Sequence, residues 1–442
     1  VIVMPETTLN TTVNPHLLAR LLALAEATPV LVSDDIVDAA GFRLLVRGTR
    51  LARHHGNVLD RRTLRKLLEG SLIVPGAPDT EHIVATARHL LATNLPLARI
   101  VDTVSGRGEL PLALLETMDF GHAMRLMLAL VSHQHAAALD HCVTVSLLAI
   151  CMAKKLHLSE EDQHAAGLAG LLHDIGELHL DPACLVQSKR LSAHEWAQQV
   201  AHPRIGQMLI DQLASYSLSV GRAVGEHHER FDGSGYPRHA RGHNISAPGQ
   251  AVSVAEMIAA LLYKDHPLER AELALRIVPG EHAPDLLPAI SCALRAQGKA
   301  SPSDHPGGFD SEADQRLYWR ISSAIESGRN LLDGGAADAP QHRELLTRAL
   351  ERISTILRAF LATSGIDKNV IRAEVQWRLR DIARDMALQT AGAANQRSVF
   401  AGLIQLLDDG PATVVPDDCA NADAVSAGLA QAGSPASRPF LM

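Results

Sequence analysis

His227-His228-Glu229, followed by Asp232-Gly233-Ser234-Gly235-Tyr236-Pro237, sets two adjacent imidazoles and a carboxylate ahead of a glycine-rich turn. A second pair, His173-Asp174, closes the apolar run that starts at Leu168. Burying an ionisable pair at the end of an apolar helix is costly unless it is paired or coordinated. His141 lies at the head of a helical stretch through Lys155, where a lone histidine is by itself more often structural. His202-Pro203 opens another helix, and Glu256 interrupts the apolar run 251–258. Together these are five histidines and two carboxylates, enough for two ions with open positions. Imidazole and carboxylate without thiolate suit Fe, Mn, Ni, Co or Zn and argue against a structural cysteine-type zinc site. A carboxylate shared between two ions, a part best taken by Asp174, would hold them about 3.5–4 Å apart, and a water between them would become a hydroxide near neutral pH. The ions would also offset charge on a phosphate in the transition state.

These residues need rigid elements to position them, and the composition favours helices. Hydrophobic residues make up 47% of the 442 and aromatics 3%, so the cores must be built from Leu, Ala, Val and Ile. The length allows two or three domains. A polar lead and a helix over 15–27 precede short β-prone runs at 30–32, 42–46 and 72–74, with turns at 38–41 and 47–49. Helical periodicity returns over 80–131. From about 118 to 298 the chain reads as a succession of helices broken by Gly and Pro. A linker is expected over 299–311, then helices near 312–332, 341–364, 367–392 and 396–408. Residues 410–442, rich in Ala, Ser, Pro and Asp, are expected to be a disordered tail.

The remaining features narrow the function. Cys142, Cys151, Cys184, Cys292 and Cys419 are odd in number and form no C-x-x-C pair. That fits reduced thiols in a cytoplasmic protein, with Cys142 and Cys151 packed as small apolar residues. A formal net charge of −8 excludes a general nucleic-acid binder, so no DNA partner is expected. No apolar run approaches the roughly 18 residues needed to span a bilayer, so no membrane partner is expected. No secretory leader is evident, and Met4 is a candidate start. Asp34-Asp35 reads as a turn, Arg61-Arg62 with Arg65 and Lys66 as a solvated helix surface, and His133 and His135 as residues of a helix exterior or entry turn.

His141, His173-Asp174-Ile175-Gly176, His202-Pro203 and the stretch from His227 to Pro237 together resemble the HD-GYP family of metal phosphohydrolases, over about residues 118–298. The resemblance implies an all-helical domain that hydrolyses cyclic di-GMP to pGpG or GMP through a metal-bridging hydroxide. It places His141, His173, Asp174, His202, His227 and His228 on metal-ligand positions, with Asp174 and His173 as the catalytic pair. Glu256 joins them as a carboxylate ligand. Gly233, Gly235, Tyr236 and Pro237 fall on the loop that shapes the substrate cleft.

The match departs from the family pattern in four places. Glu177 stands where the family has a phosphate-contacting lysine. The swap moves local charge by two units in the direction that repels phosphate, and a unit pair about 4 Å apart is worth on the order of 4 kcal/mol at an effective dielectric near 20. Glu177 either faces solvent or serves as an extra metal ligand. Glu256 replaces the usual aspartate, which keeps the charge but shifts the geometry. Ala137 replaces the carboxylate of trinuclear members, so a binuclear site is expected. The family's Arg-Pro-Tyr-type segment after the last ligand is absent, where the chain reads Leu262-Tyr263-Lys264-Asp265-His266-Pro267.

The expected architecture is mostly α: a small α+β N-terminal domain over 1–117, a helical HD-GYP-like domain over 118–298, and a C-terminal helical domain over 312–409. The expected activity is hydrolysis of a cyclic dinucleotide with two divalent transition-metal ions, Fe or Mn first, with Zn, Ni or Co as alternatives. Protein signalling partners and a homodimer are further expectations. Two rival readings stay open. One is a degenerate member that binds metal or nucleotide with little turnover and signals through partners. The other is a phosphohydrolase of another nucleotide.

Overall fold

The computed structural model describes residues 11–105, 109–135, 137–185, 193–264, 266–276, 278, 280–286, 312–334, 340–362, 368–390 and 394–408. The expected linker and tail lie outside these residues. The chain divides into two compact units, residues 1–308 with 358–371, and 309–357 with 372–442. Each is mostly helical. Among the described residues, no helix is long and apolar enough to cross a membrane.

In the first unit, helix α1 (Pro15–Ala27) starts where Asn14 caps the amides of His16 and Leu17, with proline in the first turn. Its Leu17, Leu18, Leu21 and Leu24 face the core. The expected β-prone runs become two small antiparallel pairs. Strand β1 (Leu31–Val32) pairs with β4 (Leu72–Ile73), and β2 (Ile36–Val37) pairs with β3 (Arg43–Leu45). Strand β2 is absent from the sequence reading because two residues after the Asp34-Asp35 turn are too few to show alternation. The short helix α2 (Gly56–Leu59) precedes Arg61 and Arg62, which lie on a turn rather than a helix, Arg61 with a positive φ of 54°.

Helices α3 (Thr80–Thr93), α4 (Leu95–Ser105), α5 (Glu109–Glu116) and α6 (His122–Gln134) lead to the central group. There α7 (Ala138–Lys155), α8 (Glu160–Leu172) and α12 (Ala247–Leu261) pack on one another and bury residues on nearly every face. Ser159 caps α8, and three acids in its first turn suit the positive end of the helix dipole. Gly170 lets α7 and α8 approach closely, since a Cβ there would sit 3.0 Å from the Ser146 backbone. Ser146 Oγ donates across the same contact to the Gly167 carbonyl at 2.7 Å. Around this group lie α9 (Ala193–Gln199), α10 (His202–Leu213), α11 (Leu218–Glu226) and α13 (Pro267–Arg276). Cys142 and Cys151 are buried in α7 as expected, and burial pushes both thiols up to about 12.

Helices α14 (Glu312–Asp333), α15 (Pro340–Ala362), α16 (Lys368–Gln389) and α17 (Ala394–Leu407) lie within a few residues of the expected spans, and the second unit is built on α14, α17, α15 up to Leu357 and α16 from Arg372. The interior of the second unit holds Leu317, Ile321, Leu346, Ile353, Leu379 and Leu403, with buried Asp314 paired to half-buried Arg372 at 2.5 Å.

Candidate metal centre

The ends of helices supply most of the ligand-type side chains. His173 caps α8 and Asp174 follows it, His202 opens α10, and His227 caps α11 with His228 next in sequence. His141 and Glu256 come from within α7 and α12. These seven residues converge into two groups whose ligand atoms lie within 4.8 Å of one another. One is Asp174, His202, His227 and His228, and the other is His141, His173 and Glu256.

Asp174 faces both groups. Its Oδ2 lies 2.9 Å from His173 Nε2, while its Oδ1 lies 3.5 Å from His202 Nε2 and 3.6 Å from His227 Nε2. Glu256 Oε2 lies 3.0 Å from His141 Nε2 and 3.3 Å from His173 Nε2.

Three imidazoles are oriented in the same way. The Nδ1 atoms of His173, His202 and His227 lie 2.9, 2.7 and 2.6 Å from the carbonyls of Gly170, Gln199 and Val224, each three residues earlier. A carbonyl only accepts, so each Nδ1 carries a proton, and each ring in its neutral form turns a lone pair at Nε2 into the site. His202 Nε2 and His227 Nε2 are then 3.1 Å apart with lone pairs facing. A cation between the atoms relieves this approach. In the other group, His173 Nε2 and Glu256 Oε2 are buried and close, yet make no bond of hydrogen-bond geometry. Orphaned, convergent donors of this chemistry fit divalent metal ions.

His228 has no such tether. Its ring stacks on Tyr236, with centroids 4.6 Å apart and planes 29° apart, and lies 4.2 Å from the ring of His227. Trp196, from α9, meets Tyr236 edge-on at 5.6 Å. Nothing in the sequence marks Trp196, a lone tryptophan on a short helix.

The glycine-rich turn folds back on the histidines. The Tyr236 amide donates to the His228 carbonyl at 3.0 Å. A Cβ on Gly235 would sit 2.3 Å from that same carbonyl, so no larger residue fits. Gly233 has a φ of +82°, which favours glycine. Pro237 follows Tyr236 through a cis peptide. Glu229, the carboxylate of the opening motif, turns away from the ligand groups and accepts from the amides of Arg238 and Ala240 at 2.7 and 2.9 Å. It anchors the far end of the turn.

The electrostatics differ between the groups. Burial lowers His202 to about 4, helped by His227, and holds His228 well below the usual histidine value. Burial acts the same way on His173, but the charges of Asp174 and Glu256 outweigh it and raise this imidazole well above 6.5. Burial alone would raise Asp174, yet His173, His227 and His202 hold it well below the ordinary carboxylate range. Glu256 is likewise held low by His141 and His173. Glu177 is half-buried rather than solvent-facing and belongs to neither ligand group. Burial, and then the negative charge of Asp174, push its carboxyl well above the usual range. His133 is exposed on α6, while His135 is half-buried, and its Nδ1 has no partner.

Residues 125–278 match the HD domain family. Over 136 residues the chain is 34% identical to a 3'3'-cGAMP-specific phosphodiesterase 1 of Vibrio cholerae, covering 31% of each. It is 35% identical over 119 residues to the cyclic di-GMP phosphodiesterase response regulator RpfG of Xanthomonas campestris, covering 27% of this chain and 32% of that one. This part of the chain is an HD-GYP domain. A Thermotoga maritima cyclic di-GMP phosphodiesterase is 30% identical over 157 residues, 34% of this chain and 43% of the relative. The chain thus spans about a third of the first two of these relatives and less than half of the third. An HDG"Y"P protein from Bdellovibrio bacteriovorus aligns in structure with a TM-score of 0.33 and 17% identity, covering 61% of this chain and 94% of that one. The HD-GYP domain carries five of its seven ligand-type residues at helix ends and the other two, His141 and Glu256, within α7 and α12.

Proposed function

We propose that the HD-GYP domain hydrolyses a phosphodiester bond of a cyclic dinucleotide, cyclic di-GMP in the first instance, using two divalent ions. The observation that carries this reading is Asp174, whose two carboxylate oxygens turn toward different groups of convergent histidines. His202, His227, His228 and Asp174 would hold one ion. His141, His173 and Glu256 would hold the other, with Asp174 shared. Fe or Mn suits this oxygen and nitrogen set, and Zn, Ni or Co is compatible. Ions bound there supply an activated water and neutralise charge on the phosphate.

The chain's own residues set the conditions. The three Nδ1–H donations fix the rings before any ion arrives, which limits reorganisation. Asp174 and Glu256 stay ionised and disfavour a phosphate until cations are present. The turn carrying Gly233, Gly235, Tyr236 and Pro237 forms a wall beside His228. Relatives named for 3'3'-cGAMP and for cyclic di-GMP support the substrate class. The test is to load the purified chain with manganese and offer it both dinucleotides. A linear product is expected, and no product from a chain shown to hold manganese overturns the enzyme reading.

A second reading rests on Glu177, a carboxyl beside Asp174 and Glu256 at the position of the family lysine. In that reading the domain binds nucleotide with little turnover and signals through protein partners or a homodimer. Glu177→Lys then gains nucleotide affinity or product, and a variant that gains neither overturns the charge argument. Removing residues 299–442 should reduce the oligomer size if the C-terminal helices pair two copies.

A further inference from the structure

The turn Ile175–His179 runs directly from Asp174, with the Glu177 amide donating to the Asp174 carbonyl at 2.9 Å. One side of this turn is pressed on the start of α10. A Cβ on Gly176 would sit 2.0 Å from the carbonyl oxygen of His202, so turn and His202 move together. The other side is held by residues more than a hundred positions away. Asn14 Nδ2 donates to the His179 carbonyl at 3.0 Å. Arg20 Nη1 donates to the carbonyls of Leu178 and Leu180 at 3.0 and 2.9 Å. His179 Nε2 lies 2.8 Å from the buried Glu69 carboxylate.

The end of a helical turn leaves carbonyls without intrahelical partners. Here the missing donors come from α1, and the β1–β4 region supplies Glu69. Asn14 also caps α1 with its Oδ1, so one side chain fixes the helix start and the turn at once. We propose that Asn14, Arg20 and Glu69 are positioning residues for Asp174 and His202, making the N-terminal segment part of the scaffold of the metal centre. The inference rests on the metal reading above. Groups that orient metal ligands from outside typically change metal affinity or activity by roughly 10–100-fold when removed.

The experiment uses the full chain and three variants, Arg20→Met, Arg20→Lys and Asn14→Ala. Manganese binding is measured by equilibrium dialysis, and hydrogen exchange is followed in the metal-free protein. Arg20→Met should weaken manganese binding about tenfold and raise exchange at residues 174–180 and 202–206 above the change elsewhere. Arg20→Lys, which keeps a donor for both carbonyls, should restore most of the affinity. Asn14→Ala, a milder change, should move both readouts in the same direction and covers the case of an unfolded Arg20→Met. Unchanged manganese affinity and unchanged local exchange in the folded variants overturn the proposal. A wild-type chain that binds no manganese overturns the metal reading instead, and the exchange at 174–180 still decides the tether.

Discussion

The His202–His227–His228 group and the His141–His173–Glu256 group handle protons in opposite ways. In the first, burial and neighbouring imidazoles keep His202 and His228 neutral, His202 down to about 4. In the second, two carboxylates hold a proton on His173 well above the ordinary histidine value. Metal ligation requires a neutral imidazole. The first group is therefore ready for a cation, with lone pairs already facing at 3.1 Å. The second is neutralised by a proton that an ion has to displace. Similar residue types thus give one site that fills without proton exchange at His202 and one that competes with acid.

The largest break in this comparison comes at the residue the two groups share. Asp174→Asn removes a negative charge from both and should abolish binding of the pair of ions, with activity falling by roughly 100-fold or more, the upper end of what outer ligand partners cost. Metal content by mass spectrometry and product formation check this together. Two ions retained in Asp174→Asn would show that the carboxylate does not bridge.

Separating the groups is the next largest effect. His141→Asn and His228→Asn each remove one ligand from one group, so bound manganese should fall from two ions to one in each. The remaining ion should respond differently to acid. In His141→Asn it sits in the group that resists protonation and should persist as the pH is lowered from 7 toward 5. In His228→Asn it sits against protonated His173 and should be lost earlier. Identical pH profiles for the two variants would remove the distinction between the groups.

Most of the ligand-type residues were legible in the sequence because they stand at helix ends, where Gly, Pro and polar caps interrupt apolar runs. His173-Asp174 after Leu168–Leu172, His202 before Pro203, and His227-His228 before the Gly-Tyr-Pro turn all carry such punctuation. The helix spans were legible for the same reason, and α1 matches its expected range. Strand β2 was not, because a two-residue strand has no period. Nor was the tethering of the Ile175–His179 turn by Asn14, Arg20 and Glu69, since contacts such as Glu69 to His179 span 110 positions and leave no local pattern. The Glu177 side chain was readable as a departure, but its burial depended on how α1 and the ligand groups enclose it.

Proton release sharpens the comparison by a smaller effect. At pH 7, filling the second group should release about one proton per chain from His173. Filling the first should release close to none from His202 or His228. Calorimetric manganese titrations in buffers of different ionisation enthalpy measure the number. His141→Asn, which spares only the first group, should lose the release. An unchanged release in that variant would assign the proton elsewhere.

The smallest effect concerns Glu177 in the metal-free protein. Its carboxyl is raised above the ordinary value of 4.5, by burial and then by Asp174 and Glu256. A group raised in the fold binds protons more tightly there than in the unfolded chain, so its favourable contribution is full below pH 4.5 and is lost as pH rises through the folded value. At neutral pH Glu177 therefore burdens the metal-free fold, by ionising beside two other carboxylates or by holding a proton that the unfolded chain releases. Glu177→Gln has the shape of the protonated form without either penalty. Chelator-treated Glu177→Gln should melt a few degrees above wild type at pH 7.5, at about 2–4 °C for each kcal/mol, and at the same temperature near pH 4.5. A constant difference at both pH values would mean that the gain comes from packing, and no difference at either would place the Glu177 charge in solvent. Bound ions should shrink the gain, since two nearby cations stabilise the ionised carboxylate that the glutamine lacks.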